Sequence, residues 1–192
     1  MAGNPSFDGK GGMTPEDISK FIAYVLRHAP ESVGLRLDAE GWADIDALVT
    51  GSIAGGRDLD RPDVVQAATS GAKRRYELSD DGKRIRALQG HSSPQVSRSF
   101  EVQVPPAQLF HGTATRFLDA IREQGLVSGS RQHVHLSADE ATAFQVGRRH
   151  GKAHVLRVDS GRMHELGHVF HRAENGVWLT EIVPPEFLSE AR

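Results

Sequence analysis

The chain has 192 residues, 23 Lys and Arg against 25 Asp and Glu, a net charge of -2 and no cysteine. That length suits one large or two small domains. The composition excludes disulfides, thiolate nucleophiles, cysteine zinc sites and bulk-basic nucleic-acid binding, though not a local basic groove. No apolar run approaches the roughly 18 residues of a membrane span. Residues 1–12 are glycine-rich and polar without a hydrophobic signal core, so they read as a disordered tail on a soluble, cytoplasmic chain.

The first helix begins at Thr14, with Pro15 in its first turn and Asp17 completing a capping-box-like pattern. Ile18, Phe21, Ile22, Val25 and Leu26 share one face, and Pro30 ends the helix. Arg27 and His28 therefore stand in its last turn, where cations suit the helix dipole. Val33 to Leu37 and Gly41-Trp42 lead to a helix over Ile45 to Val49 and another from Pro62 to Thr69. Arg75 to Leu78 and Arg84 to Leu88 read as strands joined by a turn ending in Asp81-Gly82-Lys83. Short helices followed by a hairpin predict a winged-helix-like lobe over residues 13–92.

The polar, turn-rich stretch from Gln89 onward places a linker at residues 93–99. Residues 100–192 read as a strand-rich α+β lobe. Phe100 to Val104 and Leu109 to Phe110 are extended, and Arg116 to Gln124 is an amphipathic helix. Val134 to Leu136 is a strand, and Ser137 with Glu140 forms a capping box opening a helix toward Gly147. Ala153 to Val158 is a strand. Val169 to His171 and Val177 to Ile182 flank the hairpin signal Asn175-Gly176.

Arg27, Arg75 and Arg131 each stand at the edge of an element, and arginine grips phosphate bidentately while staying charged. Lys73-Arg74-Arg75, with Lys83, Arg84 and Arg86 on the returning strand, is the one locally basic patch; its plain alternative is an edge strand protected by charge. His111-Gly112-Thr113 lies between an extended run and a helix. Glycine there would let a ligand approach the backbone, and the helix start would offer amides to a pyrophosphate. There is no Gly-x-Gly-x-x-Gly and no Walker loop. Alternation puts His133 and His135 on one strand face, but His164, His168 and His171 complete no zinc pattern, so no metal is expected.

Together these segments resemble the RNA 2′-phosphotransferase (KptA-type) family. The resemblance runs from Met13 to Leu188. It is carried by Ser19-Lys20-Phe21 through Arg27-His28, Asp38 to Trp42, Lys73 to Tyr76, Ile85-Arg86-Ala87, Gln89 to Ser92, His111-Gly112-Thr113, Arg131 to Ser137, Val146-Gly147 with Arg149-His150-Gly151, and Asn175 to Leu179. It implies a winged-helix lobe and an ADP-ribosyltransferase-like lobe with the site between them. It also implies NAD as a consumed co-substrate and, as substrate, an RNA bearing an internal 2′-phosphate, a tRNA in tRNA processing and splicing. An ADP-ribosylated RNA intermediate would give 2′-hydroxyl RNA, ADP-ribose 1″,2″-cyclic phosphate and nicotinamide. The family's catalytic tetrad falls on Arg27, His28, Arg75 and Arg131, and its NAD site on His111, Gly112, Thr113, His135, Leu136 and Ser137. His171 stands where an aromatic is expected. Alternation lets only one of Arg74 and Arg75 point inward. Expelling the RNA 2′-oxygen calls for a general acid, and His28 is the candidate.

Two rival readings fit the same residues. The acceptor could be a terminal phosphate of RNA or DNA, left ADP-ribosylated. Alternatively, the chain could be a non-enzymatic winged-helix nucleic-acid-binding module, which a near-zero net charge disfavours. Nothing calls for an obligate interface, so a monomer is expected.

Overall fold

The Thr14 side chain accepts from the Asp17 amide at 3.2 Å and opens α1, Pro15–Arg27. The computed structural model describes residues 13–70 and 74–191, so the expected tail and Lys73 lie outside the described residues. The five apolar positions read from the sequence are all buried along one face of α1. Each fully buried side chain of this size contributes about 1.5–3 kcal/mol. That packing holds a 13-residue helix that would be marginal alone.

The chain divides after Ala87 into two compact units, 1–87 and 88–192, and the architecture is α+β. In the first unit, the Asp38 carboxylate accepts from the Glu40 and Trp42 amides, at 3.0 and 2.9 Å, fixing the turn before β1, Ala43–Asp44. Asp44 then caps α2, Ile45–Ala54. This helix runs past Val49 through Gly51, which lies on the backbone of Val33: a Cβ there would sit 1.9 Å from the Val33 carbonyl oxygen. Asp60 and Asp63 form a capping box on α3, Arg61–Thr69. The expected hairpin follows as β2, Tyr76–Leu78, and β3, Arg84–Ala87. β3 is central in an antiparallel sheet ordered β1-β3-β2.

That order changes the meaning of the basic patch. Arg84 and Arg86 stand on a central strand, not an edge, and both stack on Trp42, with guanidinium carbons 5.3 and 4.4 Å from the ring centroid. Arg86 also pairs with Glu77 at 2.6 Å and Glu40 at 3.6 Å, and Arg74 with Glu77 at 3.4 Å. Much of the run is therefore neutralised within the unit.

The second unit begins at Leu88, so the segment expected to be a linker, 93–99, is counted within it. Arg98 is buried there, donating to the Leu88 carbonyl and to Glu174. Its strands and helices are β4, Glu101–Val102; β5, Leu109–Ala114; α4, Leu118–Gln124; β6, Leu126–Val127; β7, Val134–Leu136; and α5, Glu140–Gly147. They continue with β8, Ala153–Val158; α6, Ser160–Glu165; β9, His171–Arg172; β10, Trp178–Thr180; β11, Ile182–Val183; and β12, Leu188–Glu190. Three antiparallel sheets result, ordered β12-β8-β5, β4-β9-β10-β7 and β11-β6. A Phe110–Ser137 bridge joins the first two. Leu109, Leu136, Val158, Met163, Phe170 and Trp178 lie in the core between them.

Two local expectations change. The helix toward Gly147 is capped by Asp139, which accepts from the Thr142 amide at 2.7 Å, and not by Ser137. Ser137 is held extended because it exchanges both backbone bonds with Phe110, at 2.8 and 2.9 Å. The strand expected over Val177 to Ile182 is two strands: β10 pairs with β7 and β9, while β11 pairs with β6.

Candidate functional site

The end of α1 supplies Arg27 as its last residue and His28 as its C-cap, whose N–H bonds the Tyr24 carbonyl at 2.9 Å. The His28 and Tyr24 rings lie 6.2 Å apart. Arg75, at the entry to β2, reaches back to α1 and donates to the Ser19 hydroxyl at 3.3 Å. Arg74 turns onto Glu77 instead, so it is Arg75 that faces α1. Tyr76 is buried between these groups and donates to the Ser19 carbonyl. Burial raises its pKa above 10.0, against the Ser19 hydrogen bond and the positive charges of Arg27 and Arg75, which lower it. Arg27 and Arg75 thus both act on one neutral phenol. Tyr76 and Ser19 fall within motif segments of the sequence, but their pairing, 57 positions apart, has no local signal.

In the second unit, His111, Gly112 and Thr113 lie inside β5 rather than in a turn after it. At the helix start that follows, no side chain caps the backbone amides, though the first is already engaged. The Thr115 amide already bonds the Lys152 carbonyl at 3.0 Å, and α4 follows a short 3-10 turn with no side-chain cap. Gly112 does serve a close approach, but to α5: a Cβ on it would lie 1.7 Å from the Ala143 carbonyl oxygen. The His111 Nδ1 lies 3.1 Å from the His135 carbonyl, which assigns the ring proton to Nδ1 and leaves Nε2 as an acceptor. Desolvation lowers the His111 pKa, helped by the charges of His150 and Arg131 and opposed by the bond to His135. His111, His135, Arg131 and His150 therefore belong to one neighbourhood. Arg131 itself is exposed at the turn before β7.

Thr113 is buried, and Leu136 is a core residue, so Leu136 could meet a ligand only through its backbone. Ser137 stands at the bridge to Phe110. His133 and His135 do share a face, together lining a narrow pocket with Gly90, His91, Phe100 and Leu179. A wider cavity of about 460 Å³ opens beside Gln132, His133, His168, His171, Thr180 and Glu181; no residue of either motif triplet lines it. Among the described residues no group of three or more His, Asp or Glu is arranged to hold a metal ion. Nor, among them, is any helix long and apolar enough to cross a membrane.

The profile of the family described as "RNA 2'-phosphotransferase, Tpt1 / KptA family" matches residues 14–182. The chain is 58% identical over 178 residues to a "Probable RNA 2'-phosphotransferase" of Pseudomonas aeruginosa (strain UCBPP-PA14), covering 93% of this chain and 98% of that protein. Proteins of the same description are 56% identical over 173 residues in Burkholderia lata, covering 90% of this chain and 89% of the relative. In Pectobacterium carotovorum subsp. carotovorum the identity is 53% over 172 residues, covering 90% and 92%. These likenesses make the chain an enzyme, a transferase. It belongs to the RNA 2′-phosphotransferase, Tpt1 / KptA family.

Proposed function

We propose that the protein removes an internal 2′-phosphate from RNA by transferring it to NAD. ADP-ribosylated RNA is the intermediate, and 2′-hydroxyl RNA, ADP-ribose 1″,2″-cyclic phosphate and nicotinamide are the products. The geometry that carries this reading is the pair of guanidiniums, Arg27 and Arg75, brought to one buried phenol from residues far apart in sequence. The family match over residues 14–182 supports it. The element order α1-β1-α2-α3-β2-β3 supports reading residues 13–92 as a winged-helix-like lobe. The split sheets around β5 and β7 support an ADP-ribosyltransferase-like lobe over residues 100–192. The same reading takes tRNA as the RNA, the cytoplasm as the setting and a monomer as the working form.

NAD supplies, when bound, an electrophilic ribose carbon whose nicotinamide leaves as a neutral base. The donor set in the second unit fits such a ligand. His111 keeps one ring nitrogen free of its bond to His135, Ser137 adds a hydroxyl, and Arg131 brings positive charge suited to a pyrophosphate. Arg27 and Arg75 hold the RNA phosphate, and Arg131, the third guanidinium of the expected set, offsets negative charge at the NAD donors. Each lost arginine contact should cost about 1.5–3 kcal/mol. His28 gives a proton to the departing RNA 2′-oxygen.

The test is to incubate the protein with NAD and a 2′-phosphorylated oligonucleotide and to follow both RNA and nicotinamide products. The wild type is expected to give 2′-hydroxyl RNA and the cyclic phosphate. His28→Ala is expected to slow the second step more than the first, so that ADP-ribosylated RNA accumulates. Well-folded wild type that releases no cyclic phosphate would overturn the function. A His28→Ala protein that simply stops consuming NAD would overturn the role given to His28.

A further inference from the structure

A second set of cations, none of them a residue of the tetrad, lies wholly within the second unit. Helix α5 ends in a 3-10 turn, Arg148–His150, and Lys152 follows just before β8; all four side chains are exposed. Arg116 joins them from the short turn that follows β5, whose last residue, Ala114, pairs with Ala153. Its guanidinium nitrogen lies 3.6 Å from where a Cβ on Gly151 would stand, and the Thr115 amide bonds the Lys152 carbonyl at 3.0 Å. Among the described residues, Arg116, Arg148, Arg149 and Lys152 have no carboxylate within ion-pair distance, unlike Arg122, which reaches both Asp119 and Glu190. In a chain of net charge -2, such a concentration of unpaired cations stands out.

Aromatic rings accompany the charges. Phe117 and Phe144, 42% and 44% exposed, are the exposed aromatics among the described residues. The Arg116 guanidinium carbon lies 4.7 Å from the Phe117 ring centroid. Phe144 stands one turn before Arg148, whose amide bonds its carbonyl. Favourable interaction with the dipole of α5 would explain a cation or two in its last turn. It explains neither Lys152 nor Arg116, which come from other elements, nor the exposed rings. Cations tracking phosphates with aromatic faces for bases are the physical pattern of a single-strand nucleic-acid surface. The surface is built onto β5, the strand carrying His111, and His150 acts electrostatically on His111.

We infer that Arg116, Arg148, Arg149 and Lys152, with Phe117 and Phe144, form a docking surface for single-stranded RNA flanking the nucleotide that carries the 2′-phosphate. The cations contact successive backbone phosphates and the rings stack on bases. This rests on the proposed function for its place in the reaction, but its binding test does not depend on turnover.

The probe is a fluorescein-labelled 12-mer of uridine without a 2′-phosphate, titrated by anisotropy at several salt concentrations. Arg148→Glu with Lys152→Glu should raise its Kd at least tenfold and reduce the log–log salt slope by about 1.4, taking about 0.7 per lost phosphate contact. Arg148→Gln with Lys152→Gln should shift the Kd less, in the same direction. Phe117→Ala should raise the Kd about fivefold or more with the salt slope unchanged. In turnover, the glutamate pair should raise KM for a 2′-phosphorylated oligonucleotide and leave kcat and KM for NAD unchanged. Unaltered oligonucleotide affinity and slope would overturn the inference. So would a rise in KM for NAD alone, which would assign the patch to the dinucleotide. If the wild type binds the oligonucleotide through the patch yet releases no cyclic phosphate, the proposed function fails and the docking surface stands.

Discussion

Tyr76 joins local chemistry to the candidate site most directly. Its hydroxyl donates to the Ser19 carbonyl within α1, and burial holds its pKa above 10.0. A raised acid pKa means that the folded state keeps the proton more tightly than the unfolded chain. The associated stability is fully present below pH 10 and is lost as pH rises through the higher folded value. Tyr76→Phe removes both the hydrogen bond and the titration. At pH 7 the variant should be less stable by about 0.5–1.5 kcal/mol, the range for one neutral hydrogen bond. Between pH 9 and 11 the gap should narrow, because the wild type loses stability that the variant never had. Denaturant unfolding of both proteins across that range checks it; a gap independent of pH would show that the phenol does not titrate differently on folding.

Among the elements, legibility followed length and chemistry. α1 was readable because 13 residues give helical periodicity room to repeat and Thr14, Pro15 and Pro30 mark its ends. The two-residue strands β1, β6 and β11 carry too little pattern to be read, and their pairing depends on partners distant in sequence. Ser137 and Asp139 show a subtler limit. Both are good N-cap types, and only the non-local bridge to Phe110 decides between them. Asp139→Ala should therefore cost the second unit about 0.5–2 kcal/mol. Ser137→Ala should leave the cap intact, because its structural bonds are made by the backbone. Equal losses in thermal unfolding of the two variants would contradict this assignment. Gly112 was expected to admit a ligand to the backbone; what it admits is α5, 31 residues further along at Ala143, where no sequence window reaches.

Across the whole chain, titration and reporters divide between the units. Nine of the ten histidines lie beyond Ala87, with His28 alone before it, and each unit holds one of the two tryptophans: Trp42 in the first and Trp178 in the second. The sequence showed these residues but not their surroundings, which decide the charge behaviour. His111 is held below the ordinary imidazole range by desolvation first and by His150 and Arg131 next. His133 is lowered by desolvation and by His171, against Glu181; its ring packs edge-on to Phe100 and His171, at 5.8 and 6.0 Å. For both, the unfolded chain takes up a proton at about 6.5 while the folded chain resists it. Their contribution is thus neutral well above that pH and turns destabilising as pH falls through it. Lowering the pH from 7.5 to 5.5 stays above the usual carboxylate range, so the histidines carry the change. Followed by Trp178 fluorescence in a Trp42→Phe background, the second unit should melt at a lower temperature at pH 5.5. Followed by Trp42 in a Trp178→Phe background, the first unit should shift less. His133→Gln should remove part of the acid loss seen by Trp178 without touching either motif triplet. A His133→Gln protein that loses as much stability on acidification as its parent would show that the desolvated imidazole is not the source.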